Sequence, residues 1–179
     1  MCHSWGPCYA QFPRFANRRW LCHKIGMNGS TERPDIMALI LAEAEAAGKA
    51  GEVPVAAAVT DPSGAIIAMA QNRMKRDSNA LRHAELVALE MAMRSRGNER
   101  LDGCDLWVTL EPCTMCAGAI SHARVRRLYF AAHDPKAGAV ESGVRFFDSA
   151  ACHHRPEIYG GLSETRAAAL LRAFFAKRR

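Results

Sequence analysis

Two short stretches carry the residue types that do chemistry: Glu111-Pro112-Cys113-Thr114-Met115-Cys116 and, upstream of it, His83-Ala84-Glu85. Cysteines three apart share one face of a helix, and a helix N-terminus stabilises thiolates through its dipole and its free N–H groups. Pro112 suits the first helical position, where a missing N–H costs nothing and φ is already helical. Cys113 and Cys116 need further ligands to hold zinc, and the chain has no second Cys-x-x-Cys pair to close a four-thiolate site. His83 supplies a third. Three protein ligands and an open position for water describe a catalytic zinc rather than a structural one. Glu85 lies at the head of an apolar run, Leu86 to Leu89 and Met91 to Met93, whose pattern is that of a buried helix. A buried carboxylate is costly unless something engages it, and a metal-bound water would do so. Glu85 is then placed to shuttle a proton. A structural zinc clip or a redox dithiol is the blander reading of Cys-x-x-Cys, and the preceding His-x-Glu argues against both.

The elements that present these residues can be read in order. A helix is expected over 34–47, started by Pro34 and Asp35 and stopped by Gly48 and Gly51. Val53 to Val59 reads as a buried strand, Asp61-Pro62-Ser63-Gly64 as a tight turn, and Ala65 to Ala70 as the partner strand of a hairpin. Asn72-Arg73 then ends the strand, and Met74 to Asn79 is a polar, basic loop. Asn79 is expected to cap the helix that carries His83 and Glu85, and Gly97 to close it. Leu106 to Leu110 is a short apolar strand delivering the chain to the cysteine helix. A strand over 125–131 and a loop from His133 to Ala139 follow, and 140–161 reads as irregular. A last helix starts at Ser163. Its Leu170, Leu171, Phe174 and Phe175 fall at helical spacing and are expected to pack in the core, as is Trp107. The closing Lys177-Arg178-Arg179 would complement the helix dipole or meet a phosphate. A hairpin followed by alternating strands and helices implies an α/β chain folded as a three-layer α/β/α sandwich on a mixed sheet. Ligand sites in such folds lie outside strand ends.

The chain has 179 residues, about one domain's worth and enough to bury a core. Its 49% hydrophobic and 23% charged residues are ordinary for a soluble globular protein. No apolar run approaches the ~20 residues of a membrane-spanning helix, so no membrane partner is expected. Of seven cysteines, those outside the Cys113/Cys116 pair are unevenly spread and form no framework, which favours a reducing, cytoplasmic setting. The net charge is +6, but residues 1–30 hold Arg14, Arg18, Arg19 and Lys24 and no acid, so four of the six charges sit there. A nucleic-acid partner must therefore be argued from clusters and not from the total. Residues 1–30 read as an N-terminal extension, either upstream of the working start at Met27 or Met37 or, less simply, an organellar targeting segment. Residues 31–179 read as one domain.

Several longer pieces then add up: Glu-Val-Pro-Val at 52–55, Asn72-Arg73, His83-Ala84-Glu85, Val-Thr-Leu-Glu-Pro-Cys-Thr-Met-Cys-Ala-Gly-Ala at 108–119, Asp-Pro-Lys-Ala-Gly-Ala at 134–139, and Cys-His-His-Arg-Pro-Glu at 152–157. His-x-Glu followed by Pro-Cys-x-x-Cys is the signature of zinc nucleobase deaminases. From Glu52 to the C-terminus the chain resembles the bacterial tRNA-specific adenosine deaminases of the cytidine-deaminase-like superfamily. The resemblance implies a central mixed five-stranded sheet, one Zn2+ per chain and a homodimer. It implies hydrolysis of adenosine to inosine at the wobble position of a tRNA anticodon stem-loop. Carried over by residue, His83, Cys113 and Cys116 would hold the zinc, and Glu85 would shuttle the proton. Asn72 would bond the flipped nucleoside, Val53 and Pro54 would line the base pocket, and Asp134 and Lys136 would sit where the anticodon-loop backbone passes. Asp134 would meet a ribose 2′-OH, the group that marks RNA. A zinc-activated water would attack C6, with Glu85 passing its proton to the ring nitrogen and then to the departing ammonia. The chain departs from the family at Leu81-Arg82, where small residues are common, and at His153, where many relatives carry Asn; Arg82 would contact a phosphate or point to solvent.

Two rivals share the zinc residues. One is a deaminase of a free base or nucleoside (cytosine, guanine or cytidine). The basic groups Lys75-Arg76, Arg124-Val-Arg-Arg127 and Lys177-Arg178-Arg179 weigh against it, because a small substrate needs no such footprint. The other is a non-catalytic zinc-containing RNA-binding subunit, for which a buried Glu85 would have no use. Cys104 and Cys152 read as free thiols, and His122, His133 and His154 as loop or core hydrogen-bonders.

Overall fold

A computed structural model describes residues 34–178, so the readings of residues 1–30 lie outside the described residues. Helix α1 runs Ile36–Lys49 and is capped by Asp35, whose Oδ1 accepts from the Ala38 N–H at 3.0 Å. It passes through Gly48 and turns only at Gly51, whose φ of +89° suits glycine. Strand β1 is Ala56–Thr60, three residues later than expected at its start. Pro54 has no N–H to give a ladder, and the Val55 N–H bonds back to the Val53 carbonyl at 2.8 Å, closing a tight turn instead. The 61–64 turn forms as read, with Gly64 N–H to Asp61 O at 2.9 Å and the Asp61 carboxylate accepting from Ser63 and Ala65. Strand β2, Ile66–Gln71, returns antiparallel to β1.

Helix α2 runs Ala84–Arg96, with His83 as its N-cap and Gly97 closing it at φ +62°. Asn79 does not cap it. Its Oδ1 accepts from Leu81 N–H at 2.9 Å, a local turn that uses the side chain before the helix begins. Strand β3 is Asp105–Leu110 and helix α3 is Thr114–Ala123. Cys113, at φ −72° and ψ 172°, is the N-cap, so Pro112 lies one residue outside the cap and not in the first helical turn. The Pro112 carbonyl is taken by the Ala139 N–H at 2.9 Å, which holds this stretch extended. Strand β4 is Arg127–Ala132. The segment read as irregular contains a 3₁₀ turn at Phe146–Asp148 and a short strand β5, Glu157–Tyr159; three residues are too few to show a period-2 pattern. Helix α4 is Glu164–Ala176.

The sheet order is β2-β1-β3-β4-β5, antiparallel across the first three strands and parallel across the last three. Alternation then sorts the core. Ala57, Val59, Leu106, Val108, Leu128 and Phe130 share one core with Val87 and Ala88 of α2 and Ala117 and Ile120 of α3. Ala56, Ala58 and Ala131 share the other with Ile40, Leu41 and Ala44 of α1 and Ala167 of α4. The expected three-layer α/β/α sandwich on a mixed five-stranded sheet is what forms. Trp107 is half-buried, stacked on Tyr129 with centroids 3.9 Å apart. Among the described residues no helix is long and apolar enough to cross a membrane.

The last helix meets expectation in part: Leu171 packs against the first core and Leu170 against the second, both half-buried. Only Ala167 of it is buried, and Phe175 is 51% exposed. Helical spacing identifies a face but not whether anything covers it. Arg178 neither serves its own helix end nor stands free. It bonds the Gly51 carbonyl at 3.0 Å and lies over the Phe174 ring at 3.6 Å.

His133 ties this helix to the loop after β4. Its Nε2 lies 2.9 Å from Glu141 Oε2 and its Nδ1 3.0 Å from Glu164 Oε1, so both bonds need the doubly protonated ring. Glu164 first, then Glu141, hold its pKa above the ordinary imidazole value. A raised folded-state pKa gives stability that is fully present below the unfolded value and is lost as pH rises through the folded one. Thermal melts of wild type and His133→Gln from about pH 5.5 to about 9 should therefore show the largest deficit for the variant at the acid end, converging as pH rises. A deficit independent of pH would show that the imidazolium is not the source.

Candidate metal centre

The exits of two strands, β2 and β3, bring two helix starts together. The β2 exit is tied to the residue before His83, with Arg73 N–H donating to Arg82 O at 3.0 Å. β3 runs directly into the Cys113 turn. His83 and Cys113 are thus the N-caps of α2 and α3, and Cys116 is in the first turn of α3. The His83, Cys113 and Cys116 ligand atoms all lie within 4.8 Å of one another. His83 Nδ1 is 3.7 Å from Cys113 Sγ and 3.5 Å from Cys116 Sγ. A tetrahedral zinc, with Zn–S about 2.3 Å and Zn–N about 2.0–2.1 Å, has an S···N edge of about 3.5 Å. Donor types and spacing both fit zinc, through Nδ1 of the imidazole.

The electrostatics point the same way. Cys113 is pulled down to about 3, by the hydrogen bond from Cys116 first and by His83 next. Cys116 moves up, because it gives that bond and is buried, so the pair shares one proton. His83 is raised by its contact with Cys113. Glu85, in the first turn of α2 and 4% exposed, is pushed up by burial. It also hydrogen-bonds Cys116. A carboxylate that holds a proton more readily than usual, beside a site for a cation, is suited to accept and release one.

The other expected residues surround this centre. Asn72 is buried, its N–H bonded to Val55 O at 2.8 Å and its Nδ2 to Glu52 Oε2 at 3.2 Å. Val53 and Pro54 are the link between Glu52 and β1, Val53 half-buried and Pro54 buried. Asp134 begins the loop after β4, its Oδ1 accepting from the N–H groups of Lys136 and Ala137; Lys136 is exposed. Gly138 of that loop bridges to Cys113 itself. Sequence reasoning missed Glu52, which is 2% exposed and also accepts from Arg76 N–H at 2.6 Å. Its partners are 20 and 24 residues away, so only its acidity ahead of an apolar run hinted at a role.

Arg82 is turned onto its own protein and not out to solvent. It bonds Asp77 Oδ2 at 3.3 Å and Glu90 Oε2 at 2.8 Å, fixing the loop that leads into His83. The basic clusters are thinner than their sequence. Arg126 forks onto Asp105 with two bonds of 2.8 Å, and Arg127 bonds Glu157 at 2.8 Å. Lys75, Arg76 and Arg124 are exposed. His154 bonds the Val125 carbonyl and Ser121, as a loop hydrogen-bonder, and His153 lies exposed beside His122.

Comparison with known proteins places this geometry. The model of the cytidine and deoxycytidylate deaminase zinc-binding region matches residues 30–132. A tRNA-specific adenosine deaminase of Agrobacterium fabrum is 52% identical over 148 residues, 83% of this chain and 97% of the relative. A solved structure from a study of A-to-I editing by tRNA:A34 deaminases at the wobble position superposes with a TM-score of 0.74 and 52% identity, over 75% of this chain and 97% of that one. A guanine deaminase from Nitrosomonas europaea superposes with a TM-score of 0.68 and 30% identity, over 78% of this chain and 82% of that one.

Zinc content of purified protein checks the ligand set. Wild type should carry about one zinc per chain, and His83→Ala and Cys116→Ser should each carry almost none, with at least a 10–100-fold weaker affinity. Full occupancy in either variant would remove that residue from the site.

Proposed function

We propose that this chain, which belongs to the zinc-binding cytidine and deoxycytidylate deaminase family and within it to the tRNA-specific adenosine deaminases, hydrolyses adenosine to inosine at the wobble position of a tRNA anticodon. The observation that carries the reading is the convergence of His83 Nδ1 and two cysteine sulfurs on one spot beside the buried Glu85. His83, Cys113 and Cys116 hold the zinc. When bound, zinc supplies the acidity that makes a water nucleophilic near neutral pH. Glu85 takes that water's proton and passes it to N1 of the purine as C6 is attacked; it then takes the proton of the new C6 hydroxyl and gives it to the amino group, which leaves as ammonia.

Asn72 orients the nucleoside. Its Nδ2 is engaged by Glu52, and its Oδ1 is the atom that accepts from the nucleoside. Val53 and Pro54 form the wall against the base. Asp134 spends Oδ1 on its own turn and offers Oδ2 to a ribose hydroxyl, and exposed Lys136 meets the backbone of the anticodon loop. An unpaired loop adenosine is the accessible target, since extruding a stacked base costs a few kcal/mol. The active form is a homodimer working in the cytoplasm. Similarity to a guanine deaminase favours a second reading, a free-base deaminase, which uses the same zinc and the same Glu85.

Incubation with anticodon stem-loops and with free adenosine, guanine, cytosine and cytidine separates the two. Inosine in the stem-loop with no ammonia from the small substrates is the expected result. Ammonia from guanine alone would make the second reading the right one. Glu85→Gln should keep its zinc and lose at least about 10²–10⁴-fold in turnover. Glu52→Gln should keep its zinc and lose roughly tenfold in kcat/KM, the scale of one charge-assisted hydrogen bond, because an amide cannot accept from both Asn72 and Arg76. Unaltered kinetics in either variant would take that residue out of its role.

A further inference from the structure

Glu111 directly follows β3, two residues before Cys113, and is 2% exposed. No part of the chemistry above uses it, yet it is the most heavily bonded carboxylate among the described residues. Its Oε1 accepts from the N–H groups of Val140, Glu141 and Ser142 at 3.1, 2.8 and 2.8 Å. Its Oε2 accepts from the Asp134 N–H at 2.9 Å and the Ser142 hydroxyl at 2.7 Å. Every one of these bonds is accepted, so the site is matched to a carboxylate, with its two oxygens and about four lone-pair directions. Backbone N–H groups converging in this way make a concavity for negative charge. The donors come from both ends of one loop, and between those ends Gly138 bridges to Cys113 and Ala139 bonds the Pro112 carbonyl. Gly138 has no room to be anything else there, since a Cβ would collide with the Glu111 carboxylate.

We propose that Glu111 is a positioning residue: it anchors both ends of the 134–142 loop to the metal turn, and so sets where Asp134 and Lys136 meet the substrate relative to the zinc. The proposal deepens the functional reading and rests on it for the identity of the substrate. The geometry also says what an isosteric amide would do. Three N–H donors face Oε1, so the Gln NH₂ group must take the Oε2 side. There the Ser142 hydroxyl can reverse and accept, but the Asp134 N–H cannot. Glu111→Gln therefore releases the Asp134 end of the loop selectively.

The test uses the zinc-loaded full chain and an anticodon stem-loop. Glu111→Gln should keep wild-type zinc content, raise KM roughly tenfold and lower kcat less than about threefold, the pattern of lost substrate placement and not lost chemistry. Amide hydrogen exchange should show the Asp134 end of the loop deprotected and β3 unchanged. Ser142→Ala, which removes one donor and no charge, should move both readouts the same way by less, and serves if Glu111→Gln does not fold. Unchanged KM and exchange would overturn the proposal, as would loss of zinc in step with activity, which would make Glu111 a support of the metal turn alone. If wild type ignored RNA and deaminated a free base, the substrate reading would fail while hydrogen exchange still judged the anchor.

Discussion

Four proton-bearing groups, Glu85, Cys113, Cys116 and His83, are packed into one largely buried spot, and together they hold more negative charge than a low-dielectric site tolerates. The strain is visible in the directions of their shifts. Cys113 goes down on its bonds with Cys116 and His83, Cys116 goes up as the donor of the first, and Glu85 goes up through burial. A divalent cation held by His83, Cys113 and Cys116 would resolve the conflict by stabilising both thiolates at once. The two helix N-termini contribute in the same sense, since each turns partial positive charge toward the cluster. The rest of the fold can be understood as the framework that keeps those two N-termini aimed at one point.

The framework works through strand exits. α2 and α3 lie on one face of the sheet and fill a common core, so their starts are fixed by Val87, Ala88, Ala117 and Ile120 against β1, β3 and β4. Short polar links then set the final orientation. Arg82 holds the approach to His83 by gripping Asp77 and Glu90, and Glu52 holds the Asn72 amide against the turn at Val53–Val55. In each case a charged side chain is used on its own protein. That explains why the basic residues offer a smaller free surface than their count suggests.

Much of this was legible in the sequence, for identifiable reasons. Gly97, the Asp61–Gly64 turn and the apolar run of β3 are local signals, and they gave local structure. The metal residues were legible because ligand types at fixed spacing have few other uses. What was not legible depended on partners far along the chain. Pro112 has the right chemistry for a first helical turn, but a bond from Ala139 moves the cap to Cys113. Glu52 and Glu111 look like any acid, because their donors, backbone N–H groups with the Asn72 amide and the Ser142 hydroxyl, lie 20 to 31 residues away. Asn79 had a competing turn next to it, and Phe175 had helical spacing without a cover.

The parallel pairing of β3 with β4 sets Leu110 beside Ala132, and so delivers the Cys113 turn and the 134–142 loop from neighbouring points on one edge. Their separation is fixed by hydrogen-bond register, a quantity that changes only in whole-residue steps. Evolutionary drift in this architecture is accordingly quantised here: an insertion in either strand would reverse its inward and outward side chains and dislodge two functional segments together.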